Sequence, residues 1–361
     1  MKTAFFSNFF IASLTFFACL QHGLAAERPF YQGKTLTVVI NFAPGGPTDV
    51  EGRLIARHLS RLVPGQPGII VKNMPGAGGL IAANYLGEVA KPDGLMLGYF
   101  TGVLFHYQVK SPALRVDLAR YPFIAGIQAV TVSYIRSDVP PGIKKPTDFA
   151  KAQRFKAGGL SYGSSKDVRF RLSFDLLGLK YDYVTGYNSS AEARLAVQRN
   201  EVQYHDETLP AYRSIVEPQL VKPGVATPIY YADLVTPEGE VQANPDVPEL
   251  PSFTQLYVQV FRKPPSGIKY EALKTINISS GNLQRLILLP PGSPPAAIVA
   301  LRRAIGSAST DSDYLTDAKR VMRFHPRFEI GESGERLYKK LIQAPPEVMN
   351  FIVQYIEEAK K

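Results

Sequence analysis

Three short stretches are rich in glycine, and the first and third also carry hydroxyl or acidic side chains: Phe42-Ala43-Pro44-Gly45-Gly46-Pro47-Thr48-Asp49, Pro75-Gly76-Ala77-Gly78-Gly79, and Ala157-Gly158-Gly159-Leu160-Ser161-Tyr162-Gly163-Ser164-Ser165. Loops of this composition leave backbone N–H groups and small hydroxyls free to meet an anion, above all where the loop opens a helix. The same glycines would also serve simply to permit tight strand-to-helix turns. Harder chemistry can be tested by spacing. Gly159-x-Ser161-x-Gly163 matches a hydrolase nucleophile elbow, and Asp206 and His325 follow in the right chain order for a triad. An elbow needs a strong strand just before the serine, however, and Phe155 to Gly159 carries two glycines and reads as a poor one. Ser161 is therefore read as a ligand contact or turn residue, and a secreted serine hydrolase using it is the rival reading.

Other motifs fail. Gly33-Lys34-Thr35 ends like a phosphate-binding P-loop, but the glycine required five places earlier is Arg28, and the segment precedes a strand. Gly76-Ala77-Gly78-Gly79-Leu80-Ile81 lacks the last glycine of a dinucleotide fingerprint. In His205-Asp206-Glu207 adjacent side chains point in different directions, so the three are not read as a metal site. His58 reads as a surface or packing residue of the first helix, and His106 and His325 have no partner that spacing identifies. No catalytic residue, metal or cofactor is assigned.

The elements that must position these loops alternate. Thr35 to Phe42 is a near-continuous apolar, β-branched run, as expected of a strand covered on both faces. Thr48 with Glu51 three residues on has capping-box spacing, and Val50, Leu54, Ile55, Leu59 and Leu62 continue at helical intervals. Ile69 to Lys72 reads as a second strand, Leu80 to Val89 as a helix, and Leu95 to Phe100 as a third strand after the turn Pro92-Asp93-Gly94. Strands alternating with helices imply a parallel sheet, and glycine loops at the strand-to-helix handover lie on its ligand edge. Further on, Thr131 to Ile135 and Leu286 to Leu289 read as strands, Asp167 to Leu177 as a helix, and the tail from Pro295 as helical.

Composition bounds the class. The 361 residues are 45% hydrophobic and 20% charged, which is ordinary for globular chains. Lys and Arg number 41 against 31 Asp and Glu, a formal charge of +10, but the basic residues are dispersed and form no aromatic-interleaved stripe, which argues against nucleic acid. The single cysteine, Cys19, excludes internal disulfides and multi-cysteine metal sites. Residues 1–26 read as a secretory signal peptide: Lys2 supplies the positive end, Ala4 to Leu20 the apolar stretch, and Gly23-Leu24-Ala25-Ala26 the small residues for cleavage. Cleavage removes Cys19 and lowers the charge from +10 to +9. The rival form is a lipid anchor on Cys19, from the stretch Phe16-Phe17-Ala18-Cys19. No other segment is apolar enough to span a bilayer.

An exported chain with these stretches, followed by Asn73-Met74-Pro75-Gly76-Ala77-Gly78-Gly79, Lys91-Pro92-Asp93-Gly94 and a late Leu289-Pro290-Pro291-Gly292-Ser293-Pro294, resembles the substrate-binding proteins of tripartite tricarboxylate transporters, the Bug-type periplasmic receptors. The resemblance implies two α/β lobes of the type II periplasmic binding-protein kind, each a mainly parallel sheet flanked by helices, with a cleft between them. Residues 27–132 would form the first lobe, 133–275 the second, and 276–361 would return to the first. It implies ligand contacts at Phe42, Pro44, Gly45, Gly46, Thr48, Asp49, Ala77, Gly78, Thr101, Ser161, Gly163, Ser164, Ser165 and Asp206. The implied partners are a small organic anion of carboxylate type and the membrane permease subunits, with the receptor a periplasmic monomer. A receptor that signals instead of transporting is a further alternative. Three departures fall on the binding loops: Pro47 stands where glycine is usual, Val168, Arg169 and Phe170 occupy the region of a usual histidine, and Val184-Thr185-Gly186-Tyr187-Asn188 replaces a PYKG-like stretch.

Overall fold

The computed structural model describes residues 28–361 apart from 237–239, 324 and 344, so the signal peptide expected at 1–26, with Lys2 and Cys19, lies outside the described residues. The chain begins β1 (Thr35–Ile40), α1 (Pro47–Leu62), β2 (Gly68–Asn73), α2 (Leu80–Glu88), β3 (Met96–Thr101), α3 (Val103–Gln108) and β4 (Phe123–Gln128). A second unit follows: β5 (Thr131–Arg136), β6 (Phe155–Gly158), α4 (Ser165–Leu177), β7 (Tyr181–Val184), α5 (Ser190–Gln198), β8 (Tyr204–Thr208), α6 (Leu209–Ala211, running on into a π-helical stretch over Tyr212–Val221) and β9 (Ala226–Tyr231). After the short hairpin β10 (Leu234–Val235) and β11 (Val241–Gln242) come α7 (Phe253–Phe261) and α8 (Ile268–Asn282). The chain closes with β12 (Arg285–Leu288), α9 (Pro295–Ala308), α10 (Ser312–Met322), β13 (Arg327–Ile330), α11 (Gly331–Ile342) and α12 (Pro346–Glu358).

Among the described residues the strands form two main sheets, in the orders β13-β4-β12-β3-β1-β2 and β7-β6-β8-β5-β9. Each is the spine of one lobe. β1 is buried from Val38 to Ile40 and at Leu36, as its near-continuous apolar run requires, whereas the edge strand β2 alternates between exposed and half-buried residues. Leu36, Val38 and Ile40 pack under Leu54, Ile55 and Leu59 of α1, with α9 and α10 beside them. Val39 points the other way, toward Leu80 and Leu86 of α2 and Tyr338 and Leu341 of α11. The second sheet is likewise covered on both faces: Ile135, Phe155 and Tyr204 meet Phe170 and Phe174 of α4, and Val132 and Tyr134 meet Ala196 and Val197 of α5.

The sheets are mixed where mainly parallel ones were expected. β1 pairs in parallel with β2 and β3, and β6 with β7 and β8, but β4, β12, β13, β5 and β9 all make antiparallel pairs. The cause is the double crossing between lobes. Only Ala129 and Val130 separate β4 from β5, and the chain returns through α8 into β12. The crossings are tied together by the Ala129 N–H donating to the Gly281 carbonyl at 3.0 Å. A seam of Phe105 from α3, Val168 and Leu172 from α4, Ala272 and Ile276 from α8, and Met349, Ile352 and Ile356 from α12 joins helices of both lobes.

Two local expectations are corrected. Thr48 does not cap α1. Gly46 does, in extended conformation, with Pro47 at the first helical position, where its missing N–H and fixed φ are no handicap; Thr48 sits one residue inside. Phe155–Gly158, read as a poor strand, is β6, because pairing with β7 on one side and β8 on the other supplies what local propensity does not.

Candidate functional site

Between the lobes lies a cleft of about 550 Å³, walled by the strand-to-helix loops of both sheets and floored by the second crossing at Ser279, Ser280, Leu283 and Gln284. On the first-lobe side the 42–49 loop is braced from behind. Asp49, 3% exposed, accepts from the Gly45 amide at 2.9 Å, from Arg53 Nε at 2.8 Å and from Asn73 Nδ2 at 2.8 Å, and Asn73 also donates to the Phe42 carbonyl. Burial acts to raise the Asp49 carboxyl, but these hydrogen bonds and the Arg53 charge outweigh it and hold the group below the usual carboxylate range. Asn41 clamps Thr101 through both its N–H and its carbonyl, at 3.0 and 2.9 Å, and the Thr101 and Thr48 hydroxyls meet at 3.1 Å. Gly79, at φ 93°, passes so close to Asn41 that a Cβ there would stand 2.2 Å from Nδ2. Among the described residues, the amides of Gly46, Ala77 and Gly78 find no acceptor in the protein. Beside Gly78, His106 is 9% exposed, and burial lowers its pKa to about 4, so the ring is neutral near pH 7.

The second-lobe side is charged. Ser164 caps α4, its hydroxyl accepting from the Asp167 amide at 3.2 Å. The fully buried Asp167 holds the loop, its Oδ2 accepting from the Ser161 amide at 2.8 Å and the Tyr183 hydroxyl at 2.7 Å. The next turn of α4 places Lys166 and Arg169 on the cleft wall. Lys166 Nζ lies 3.3 Å from Asp206 Oδ1 and 3.3 Å from His205 Nε2, and Arg169 Nη2 donates to Asp206 Oδ2 at 3.0 Å. Burial, then the Lys166 charge, pushes the His205 pKa well below its ordinary value. Below them Glu207 is ion-paired to Arg194, and burial raises its carboxyl. The remaining cation on the wall, Arg285, is sealed: it is 1% exposed, and Nε and Nη2 each donate to Glu51 at 2.8 Å. Glu51, expected to close a capping box, is committed to this pair.

Of the residues singled out by sequence, Phe42, Gly46, Thr48, Ala77, Gly78, Thr101, Ser161, Ser164 and Ser165 stand on the cleft wall. Pro44, Gly45, Asp49, Gly163 and Asp206 are not on it, Asp49 and Asp206 lying behind as supports. Lys166, Arg169, His106, Asn188, Ser279 and Ser280 were missed. Their signal was faint: Arg169 and Asn188 fall in the two stretches that depart from the family pattern. The triad does not assemble. Asp206 is engaged by Arg169 and Lys166, His325 is exposed, and Ser161 lies four residues before α4 in place of standing at its first turn. His58 is buried and bonded to Asp317 at 3.0 Å. Among the described residues no group of three or more His, Cys, Asp or Glu is placed to hold a metal ion, and no helix is long and apolar enough to cross a membrane.

Two α/β lobes, a double crossing and a ligand-sized cleft between them define the fold of a periplasmic solute-binding protein. No protein-family model matches the chain. It is 25% identical over 301 residues to a UPF0065 protein of Bordetella pertussis, covering 81% of this chain and 82% of that one. It is 30% identical over 190 residues to a UPF0065 protein of Agrobacterium vitis, covering 49% and 51%. Among solved structures it is similar to MatC from Rhodopseudomonas palustris with bound malate (TM-score 0.63, 20% identity, 90% of this chain and 99% of that one). It is also similar to the periplasmic binding protein BugD (0.64, 17%, 91% and 98%) and to R. palustris Rpa4515 with adipate (0.66, 18%, 90% and 98%). The chain is thus a relative of the UPF0065 proteins with the fold of BugD, and the resemblance to Bug-type receptors read from its loops stands.

Proposed function

We propose that this protein is an extracytoplasmic receptor that captures a small carboxylate between its lobes and delivers it to a membrane permease. The observation that carries the reading is the cleft itself: unpaired amides at Gly46, Ala77 and Gly78 face a wall bearing Lys166 and Arg169. Closing the lobes excludes water and strengthens each hydrogen bond and ion pair to the anion. The malate and adipate held by two structures of the same fold support a carboxylate as the ligand class. In this reading residues 27–132 and 276–361 form the first lobe and 133–275 the second, with α12 laid back across α4 and α8. The protein works as a periplasmic monomer after loss of residues 1–26, and its permease is of the tripartite tricarboxylate type.

A thermal-shift and calorimetric screen of organic anions tests it. A bound carboxylate raises the melting temperature, and a protein that binds no organic anion at millimolar concentration is not this receptor. Uptake of a labelled ligand by cells with and without the gene separates transport from signalling. A serine-reactive phosphonate leaves Ser161 unlabelled; a mapped adduct there would instead establish hydrolase chemistry.

A further inference from the structure

A second cavity, of about 470 Å³, opens between α4, β7 and the end of α12, and it shares no lining residue with the cleft. We propose that it is a second ligand site, taking a small zwitterion of the amino-acid kind with an apolar side chain: the carboxylate meets Arg171, and the ammonium turns toward Glu358.

The carboxylate end rests on an unusual arginine. Three arginines are buried among the described residues. Arg169 is paired with Asp206 and Arg285 with Glu51. Arg171, 2% exposed, has no carboxylate within 4 Å. Asp175, four residues along the same helix, is its natural partner. Asp175 Oδ2 accepts instead from Lys269 Nζ at 3.2 Å and from the Tyr355 hydroxyl at 3.1 Å. Arg171 Nε donates to the Asp167 carbonyl at 3.2 Å and Nη2 to the Tyr162 carbonyl. The rings of Tyr162, Tyr183 and Tyr355 lie 5.7, 5.0 and 5.3 Å from the guanidinium, within cation–π range. Rings and carbonyls attract the cation but carry no net charge to neutralise it, and a buried charge without a counter-charge is costly. Nη1 is left as the donor for a carboxylate entering the cavity.

The ammonium end rests on Glu358. It lines the cavity from the last turn of α12, is exposed and has no ion-pair partner, whereas its neighbour Glu357 is paired with Lys360. A simple anion on Arg171 would lie near this free carboxylate, and a simple cation beside Glu358 would lie near Arg171. A molecule carrying both charges is opposed by neither, and the tyrosine faces suit both an ammonium and an apolar side chain. The volume falls in the range of small-molecule sites. The site also touches the cleft loop from behind. Tyr162 follows Ser161 directly, and the Tyr183 hydroxyl donates to the same Asp167 oxygen that accepts from the Ser161 amide.

Calorimetry on the intact mature protein decides the matter, with L-phenylalanine as probe. Its two comparators are 3-phenylpropionate, which lacks the ammonium, and phenethylamine, which lacks the carboxylate. Phenylalanine binds at least about tenfold more tightly than either. Arg171→Met weakens it about tenfold or more, the scale of a lost charge-assisted hydrogen bond. The exposed change Glu358→Gln weakens phenylalanine about threefold to tenfold and leaves 3-phenylpropionate no weaker. Lys166→Met, on the cleft wall, leaves phenylalanine binding unchanged. Melting of each unliganded variant reports whether it is folded, and if Arg171→Met is not, Glu358→Gln carries the test. No binding of phenylalanine at about 10 mM overturns the proposal, as does 3-phenylpropionate binding equally well, or a Glu358→Gln protein of unchanged affinity. Phenylalanine lost in a folded Lys166→Met protein and kept in a folded Arg171→Met one would place it in the cleft and also overturn the proposal. Carboxylate binding in the cleft is measured separately, so the receptor reading stands or falls on its own.

Discussion

Replacing Asp206 by asparagine isolates the group on which the charged wall depends. The Asp206 side chain is 1% exposed, and it is shared by an Arg169 side chain 7% exposed and a Lys166 side chain 17% exposed. Removing one partner of a buried ion pair costs about 3–5 kcal/mol, because the remaining charge is left uncompensated out of water. Two features reduce that figure here. Asparagine keeps an oxygen to accept from Arg169, and Lys166 retains some contact with solvent. The expected loss is about 2–4 kcal/mol. Urea unfolding of the unliganded protein, followed by far-UV circular dichroism at low salt, measures it; if the lobes unfold separately, the loss falls on the second lobe's transition. Added salt or a carboxylate recovers part of it by supplying the missing negative charge. Arg169→Met in the Asp206→Asn background also recovers more than about 1 kcal/mol, since it removes a stranded cation. An Asp206→Asn protein within about 0.5 kcal/mol of the parent at low salt, with no response to anions, would refute the argument that Asp206 holds these charges.

Two further predictions concern the opposite wall. Gly79→Ala puts a Cβ 2.2 Å from Asn41 Nδ2 at a φ of 93°, so the amide that clamps Thr101 must move. The expected destabilisation is about 3 kcal/mol, read from thermal melts, with carboxylate affinity falling in parallel. His106, its pKa lowered by burial from an ordinary 6.5 to about 4, binds its proton more readily in the unfolded chain. Its contribution to stability is complete above pH 6.5 and is lost as the pH falls toward 4. The drop in unfolding free energy between about pH 7 and 5 is therefore about 2 kcal/mol smaller in His106→Gln than in the parent. Equal drops would show that His106 does not titrate as its burial requires.

Burial explains which parts of this molecule can be read from its sequence. β1 and β12 are legible because strands covered on both faces are largely apolar, as Val38–Ile40 and Leu286–Leu288 are. The glycine loops are legible because few residues tolerate the backbone of Gly76, Gly78 and Gly79, all at positive φ. β6 read as a poor strand because Phe-Lys-Ala-Gly has no strand signature of its own and is held by its two neighbours. Thr48 and Glu51 looked like a cap and its partner. The sequence neighbourhood could not show that Pro47 would open the helix two residues earlier, or that Arg285, far along the chain, would claim the carboxylate. Lys166 and Arg169 were hidden for a related reason. In a chain with 41 basic residues, nothing local distinguishes a cation on a cleft wall from one on the surface. The distinction lies in Asp206, which is buried in another strand and reaches both.

The strand order of the first sheet has a temporal consequence. β3 and β4 follow one another in the chain, yet β12 lies between them, and β13 flanks β4 beyond. During synthesis the early strands thus have no complete sheet to join until nearly the whole polypeptide has left the ribosome. Closing that sheet requires contacts between residues far apart in sequence, which is slow. If the chain is exported as proposed, with its N-terminus entering a translocation channel first, such delay is an asset, because the segment that must enter first is also the one that cannot fold early.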